Sequence, residues 1–175
     1  MAAPISWQVE PIRVVTEAIS RGRSTLDASD TGTGKTFVAL FAARDAGLRV
    51  AVICPIAVIP AWREAAAAVG VEVVFVRNIE SLKADRKKDF LRKVGKQWQW
   101  RVPAGTAIIF DEVHRFSGTN TENAKILNAA PRPCMMLSRT AAASPLHLRA
   151  VGSQLGLTTW ADWWRWCLAN GCKPG

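Results

Sequence analysis

Metal-binding and redox residue types are scarce in this sequence. It has two histidines and four cysteines in 175 residues. Cys54, Cys134, Cys167 and Cys172 form no CxxC pair, and no Cys/His ligand spacing occurs, which argues against a zinc site. Cys54 and Cys134 lie in apolar runs, where a free thiol behaves as a small hydrophobe. Cys167 and Cys172 could pair, but reduced thiols are the simpler reading. The longest apolar stretch, Val50 to Trp62, is broken by Pro55 and Pro60, and falls short of the roughly 20 residues a bilayer span requires. The opening MAAPISWQVEP lacks a basic segment followed by an apolar core, so we expect no secretory leader and a cytoplasmic chain. Acidic residues are also few. There are 14 Asp+Glu against 23 Lys+Arg, a formal charge of +9 and a pI near 10.0. That balance favours polyanionic partners: nucleic acid, nucleotides or an anionic surface. No repeat or low-complexity tract is present.

What remains is a globular composition, 49% hydrophobic and 21% charged, long enough for about one domain. Ile12, Val15 and Ile19 recur at helical spacing and predict a helix over 6–20. Short β-rich runs follow at 24–28, 49–54, 72–76, 106–110 and 134–138. Between them lie helical segments at 37–46, 60–69 and 121–130, with further ones from about Pro145 and Thr159. The helix at 37–46 is apolar nearly all round and should be buried. Residues 81–97 are strongly basic with a weak helical period. Strands alternating with helices predict an α/β domain with a parallel sheet covered on both faces. In such sheets ligands bind beyond the carboxyl ends of the strands.

Two motifs sit at those ends. Ser29-Asp-Thr-Gly-Thr-Gly-Lys-Thr36 follows a strand and opens a helix. Gly32 and Gly34 allow a tight turn and close backbone approach to an anion. Thr31, Thr33 and their neighbours then offer N–H groups, with the helix N-terminus, to phosphate oxygens. Lys35 suits the β and γ phosphates, and the Thr36 hydroxyl suits Mg2+. The general pattern begins with glycine where this chain has Ser29. Downstream, Ala107-Ile-Ile-Phe-Asp-Glu-Val-His114 is a buried strand with two acids at its exit. Asp111 is placed to hold Mg2+ through water. Glu112 is suited to orient and deprotonate an attacking water. Alone, each motif could be a glycine-rich turn or a solvated acidic loop; together they point to ATP and Mg2+.

The loop and DEVH together resemble the first RecA-like domain of superfamily 2 DExH helicases and translocases, most nearly the Swi/Snf-like and phage-encoded members. Supporting segments cover nearly the whole chain. Gln8 stands where the family has an adenine-reading glutamine. Ile53 to Trp62 looks like motif Ia, with Glu64 one place early. Asn78-Ile-Glu-Ser-Leu82 resembles the segment after the third strand, and Leu137-Ser-Arg-Thr-Ala141 resembles motif III. The resemblance implies a RecA-like P-loop NTPase fold of five or more parallel strands, with the motif III strand between the phosphate-loop and DEVH strands. It implies that His114 lies between the γ-phosphate side and motif III, and that Ser138 and Thr140 couple hydrolysis to movement. Pro55, Ile56 and Asn78 would contact nucleic acid. Arg139 departs from the small residue usual in motif III. The family also needs a second RecA-like domain, in cis or in trans, to carry an arginine finger. None follows residue 175, so we expect a fragment or a truncated reading frame. Residues 1–158 would form the ATP-binding domain, and 159–175 a Trp-rich helical tail leading toward the missing half.

Lys83, Arg86, Lys87, Lys88, Arg92, Lys93, Lys96 and Arg101 crowd one stretch with Trp98 and Trp100. Such a stretch suits phosphate contact and base stacking; it equally suits a solvated charged helix and a hairpin with core tryptophans. Trp160, Trp163, Trp164 and Trp166 read better as core or interface than as a stacking platform. The expected activity is an ATP-dependent helicase or translocase, hydrolysing ATP weakly as an isolated domain and acting on DNA more than RNA. If the chain is phage-encoded, it works in the host cytoplasm. The alternative is a standalone ATP-binding or DNA-clamping module. A small metabolite kinase would share the phosphate loop but leave DEVH unexplained.

Overall fold

The β-rich runs bounded by Gly and Pro assemble into one parallel sheet. The computed structural model describes residues 2–173. Its strands are β1 (Thr25–Asp27), β2 (Arg49–Ile53), β3 (Val73–Arg77), β6 (Thr106–Asp111) and β7 (Cys134–Leu137), with the pair β4 (Leu91–Val94) and β5 (Gln97–Trp100) forming a separate hairpin. The sheet order is β1-β7-β6-β2-β3, all parallel. The motif III strand β7 therefore lies between the phosphate-loop strand β1 and the DEVH strand β6, as the resemblance implies.

Strand residues alternate between two cores, because successive side chains point to opposite faces. On one face, Val50, Val52, Ala107, Ile109, Met135 and Leu137 meet α1 (Val9–Ser20), α2 (Lys35–Asp45) and α3 (Ile59–Val69). The other face carries Ala51, Ile53, Ile108, Phe110, Cys134 and Met136. There they meet α4 (Ile79–Ala84), α5 (Glu122–Asn128) and α6 (Arg149–Leu155). Val38 to Ala43 of α2 are all buried, in keeping with its apolar circumference.

The basic stretch differs from its weak helical period. Only Ile79–Ala84 is helical; residues 91–100 form the hairpin, with Leu91 opposite Trp100 and Lys93 opposite Trp98. Val94 pairs with Gln97, leaving Gly95 and Lys96 as a two-residue turn with Gly95 at φ 59°. Such turns match the twist of paired strands. Trp98 and Trp100 lie two apart, share one face and pack on the second core. Alternation at period two, carried by Trp and Gln, outweighs the helical spacing of Leu82, Phe90, Leu91 and Val94. A last helix, α7 (Trp163–Ala169), packs back on α6: Trp163 is buried against Gly152 and donates its indole N–H to the Pro145 carbonyl at 3.2 Å.

Candidate functional site

The loop between β1 and α2 is built by its own side chains. Asp27 ends β1 and accepts from the Ser29 N–H at 3.0 Å and the Ser29 hydroxyl at 2.6 Å. Ser29 in turn meets the Thr33 hydroxyl at 2.8 Å, and Thr33 donates to the Asp30 carbonyl at 2.8 Å. Ser29 thus fastens the loop where the general pattern has glycine, and its φ is not positive, so glycine is not required there. Gly32 and Gly34 are different, with φ of 81° and 82°. At Gly34 a Cβ would run into the Gln8 side chain. Buried Gln8 donates to the Gly34 carbonyl at 3.4 Å and accepts from the Ile5 N–H at 3.2 Å. The glutamine tethers the chain's opening segment to the phosphate loop. Beside it, a cavity of about 520 Å³ is lined by Trp7, Gln8, Leu26, Thr33 and Val38.

Lys35 opens α2 and folds back, donating to the Ser29 carbonyl at 2.8 Å and the Asp30 carbonyl at 2.7 Å. It lines a cleft of about 580 Å³ together with Thr31, Gly32, Gly34, Thr36, Asp111, Glu112, Ser138 and Arg139. The anion loop and the twin carboxylates therefore face one space. Asp111 ends β6 next to the buried interior. Burial raises its pKa above the ordinary carboxylate range, while a hydrogen bond from the Trp62 indole N–H opposes that rise; the Glu112 charge adds to it and the Lys35 charge subtracts. The Trp62 bond is 2.9 Å long, to Oδ2. Oδ1 accepts from the Glu112 backbone N–H at 3.0 Å. Glu112 itself sits at φ 54°, ψ 53°, a left-handed conformation that costs a non-glycine residue free energy and recurs at functional sites. That turn ends the strand and brings the Glu112 carboxylate back over the cleft.

From there a polar chain crosses to motif III. The His114 Nδ1 lies 3.1 Å from Glu112 Oε2 and 3.1 Å from the Ser138 hydroxyl. Ser138 is buried, donates to the Thr140 carbonyl at 2.9 Å, and takes its position from a backbone bond to Asp27 at the end of β1. His114, Ser138 and Thr140 thus form one connected group beside the cleft. Cys54 lies near Asp111; burial, then the Asp111 charge, push its thiol up to about 12, so it stays protonated.

The residues expected to meet nucleic acid lie at the same carboxyl end of the sheet. Pro55 and Asn78 flank a small crevice with Arg115, and Ile56 is exposed. Asn78 has a structural duty as well, capping α4 by accepting from the Ser81 N–H at 3.3 Å. The hairpin tryptophans are tied into the fold. Trp98 donates to Glu122 at 2.8 Å, and Trp100 donates to the Ile126 carbonyl at 3.0 Å. Lys93 also meets Glu122, at 3.0 Å. Trp163 and Trp166 stack with centroids 4.9 Å apart, and the Arg149 guanidinium lies 4.1 Å from the Trp160 ring centroid. Trp62 is the site residue that motif reading passed over. A buried indole needs an acceptor for its N–H, and a tryptophan in the helix after β2 was the signal available.

No family profile matches the sequence. The chain is 34% identical, over 139 residues, to a protein of Acanthamoeba polyphaga mimivirus that carries the name of an ATP-dependent RNA helicase; the match covers 66% of this chain and 26% of that protein. Its fold is similar to that of the Sulfolobus solfataricus SWI2/SNF2 ATPase core solved in complex with double-stranded DNA. The TM-score is 0.72 at 17% identity, over 98% of this chain and 41% of that one. The chain thus spans about a quarter of the viral relative and two fifths of the archaeal structure. Sequence and fold together support a RecA-like domain of the superfamily 2 helicase type. Among the described residues, no helix is long and apolar enough to cross a membrane.

Proposed function

We propose that this RecA-like domain of the superfamily 2 helicase type binds and hydrolyses ATP as the first half of a nucleic-acid motor. The observation that carries the reading is the shared cleft: Lys35 and Thr36 on one wall, Asp111 and Glu112 on the other. The loop N–H groups and Lys35 would hold the phosphates, Lys35 exchanging its two carbonyl partners for phosphate oxygens. Gln8 would read the base from the cavity beside the loop. Glu112 would accept a proton from the water that attacks the γ-phosphorus in line. His114 and Ser138 would pass the change at Glu112 to β7.

The donor set suits Mg2+. Among the described residues no group of three or more Asp, Glu, His or Cys could cage a metal, and Mg2+ at such sites is held by one or two protein oxygens plus substrate phosphates and water. Thr36 and Asp111 would supply those oxygens. The ion would there neutralise developing charge on the phosphates. Asp111 retains lone pairs on both oxygens beyond its two hydrogen bonds.

Nucleic acid, DNA more than RNA, would cross the sheet's carboxyl end near Pro55, Ile56 and Asn78. The +9 charge supports a polyanionic partner, and the archaeal fold neighbour is a DNA complex. Residues 1–158 would be the ATP-binding domain and 159–175 the start of a tail toward a second RecA-like domain, in a cytoplasmic protein. The test is ATP turnover by the chain with and without single-stranded and duplex DNA. Glu112→Gln should keep nucleotide binding and lose turnover. Slow turnover without strong DNA stimulation is expected of this domain assayed by itself, because an arginine contributed by a second domain is worth roughly 10³–10⁵ in rate. Undiminished turnover in Glu112→Gln refutes the assignment.

A further inference from the structure

One cleft residue has no part in the reading above. Arg139 stands in motif III where the resemblance has a small side chain, yet it lines the cleft with Lys35, Asp111 and Glu112. Its Nε lies 3.2 Å from Oδ1 of Asp30 in the phosphate loop, and the two side chains are 64% and 79% exposed. So exposed an ion pair is weak and easily exchanged. Arg139 follows buried Ser138, which reaches Glu112 through His114. The guanidinium therefore rises from the wall where the far end of a triphosphate would lie, whereas Gln8 opens into the other cavity, on the base side.

Asp30 is an acid within a loop shaped for an anion. Its carboxylate opposes any phosphate that enters, and Arg139 cancels it. A phosphate offers more acceptor oxygens and more charge than one carboxylate, and a guanidinium grips it with two parallel N–H bonds. We propose that Arg139 reads the terminal phosphate of a bound nucleoside triphosphate from within this domain, with Asp30 as its resting partner. Triphosphate binding draws the guanidinium off Asp30; a diphosphate leaves the pair closed. The proposal rests on the nucleotide site argued above and adds to it a cation supplied in cis.

The test is calorimetric titration of the whole chain with Mg2+ plus a non-hydrolysable ATP analogue, and separately with Mg2+ plus ADP. Arg139→Ala should weaken the triphosphate by about tenfold or more and leave ADP within about twofold. ADP binding doubles as the control for folding. Arg139→Lys should recover only part of the loss, because an ammonium lacks the planar fork. Asp30→Asn should tighten the triphosphate, and Arg139→Ala in that background should remove the triphosphate's extra gain over ADP. Equal losses for both nucleotides, or no loss, in Arg139→Ala overturn the assignment of Arg139. Wild-type protein that binds neither nucleotide overturns the nucleotide site itself.

Discussion

Replacing Trp62 by phenylalanine tests how the fold sets up the Asp111 carboxylate. The substitution deletes an N–H that donates to Oδ2 at 2.9 Å and leaves a smaller ring in a site 2% exposed. A hydrogen bond to a charged group contributes about 1.5–3 kcal/mol. The vacated volume adds about 1–2 kcal/mol. Only the first part depends on pH. Burial holds the pKa of Asp111 above the ordinary range and the Trp62 bond opposes that rise, so the variant's pKa rises further. The variant then takes up its proton at higher pH than the wild type. Its deficit is full above both folded-state pKa values. It shrinks as pH falls through the variant's value and then the wild type's. Urea unfolding of both proteins between about pH 8 and about pH 4 measures the gap. A gap that narrows toward acid pH is expected. A gap constant across the range would mean that the indole N–H does nothing for the charged carboxylate.

Gly34→Ala should destabilise the domain by about 1–2 kcal/mol through its positive φ and also displace Gln8, so thermal melting and nucleotide affinity should fall together. Glu112→Gly should raise stability by about 1 kcal/mol, because the left-handed turn no longer carries a Cβ, while abolishing turnover. Gln154 is buried and donates to the carbonyls of Leu127, Asn128 and Ala130. Gln154→Leu strands those acceptors and should cost about 3 kcal/mol in denaturant unfolding. DNA binding measured by anisotropy should weaken steeply and linearly in log salt; affinity independent of salt would remove the basic surface from the account.

Much of this architecture was legible because local signals agree. The TAIIF run at 106–110, the proline and glycine bounds of β2, and the all-round apolar helix after Lys35 each point to a buried parallel layer. The order of β7 between β1 and β6 was implied by the family resemblance, since strand order leaves no mark in residue spacing. The hairpin at 91–100 was harder to see. Its charged residues mask a two-residue alternation, and only Trp98 and Trp100 meeting the core decide it. Ser29 and Arg139 stand out in the sequence only as departures from their motifs, and Trp62 has no assigned role there, for one reason. Each acts through a partner distant in sequence or unspecified by pattern: Trp62 through Asp111, 49 residues away, Ser29 through Asp27 and Thr33 across a turn, and Arg139 through Asp30 of the phosphate loop. Motif spacing records which residue types stand near a ligand. Supporting hydrogen bonds appear only once the chain is folded.

The central claim, that the loop and the twin carboxylates serve a single magnesium nucleotide, is tested most directly by calorimetric titration of ATP into wild type, Lys35→Ala and Asp111→Asn, with and without Mg2+. Wild type should bind more tightly with Mg2+, Lys35→Ala should bind in neither condition, and Asp111→Asn should lose the magnesium enhancement. The same affinity in all three proteins would contradict it.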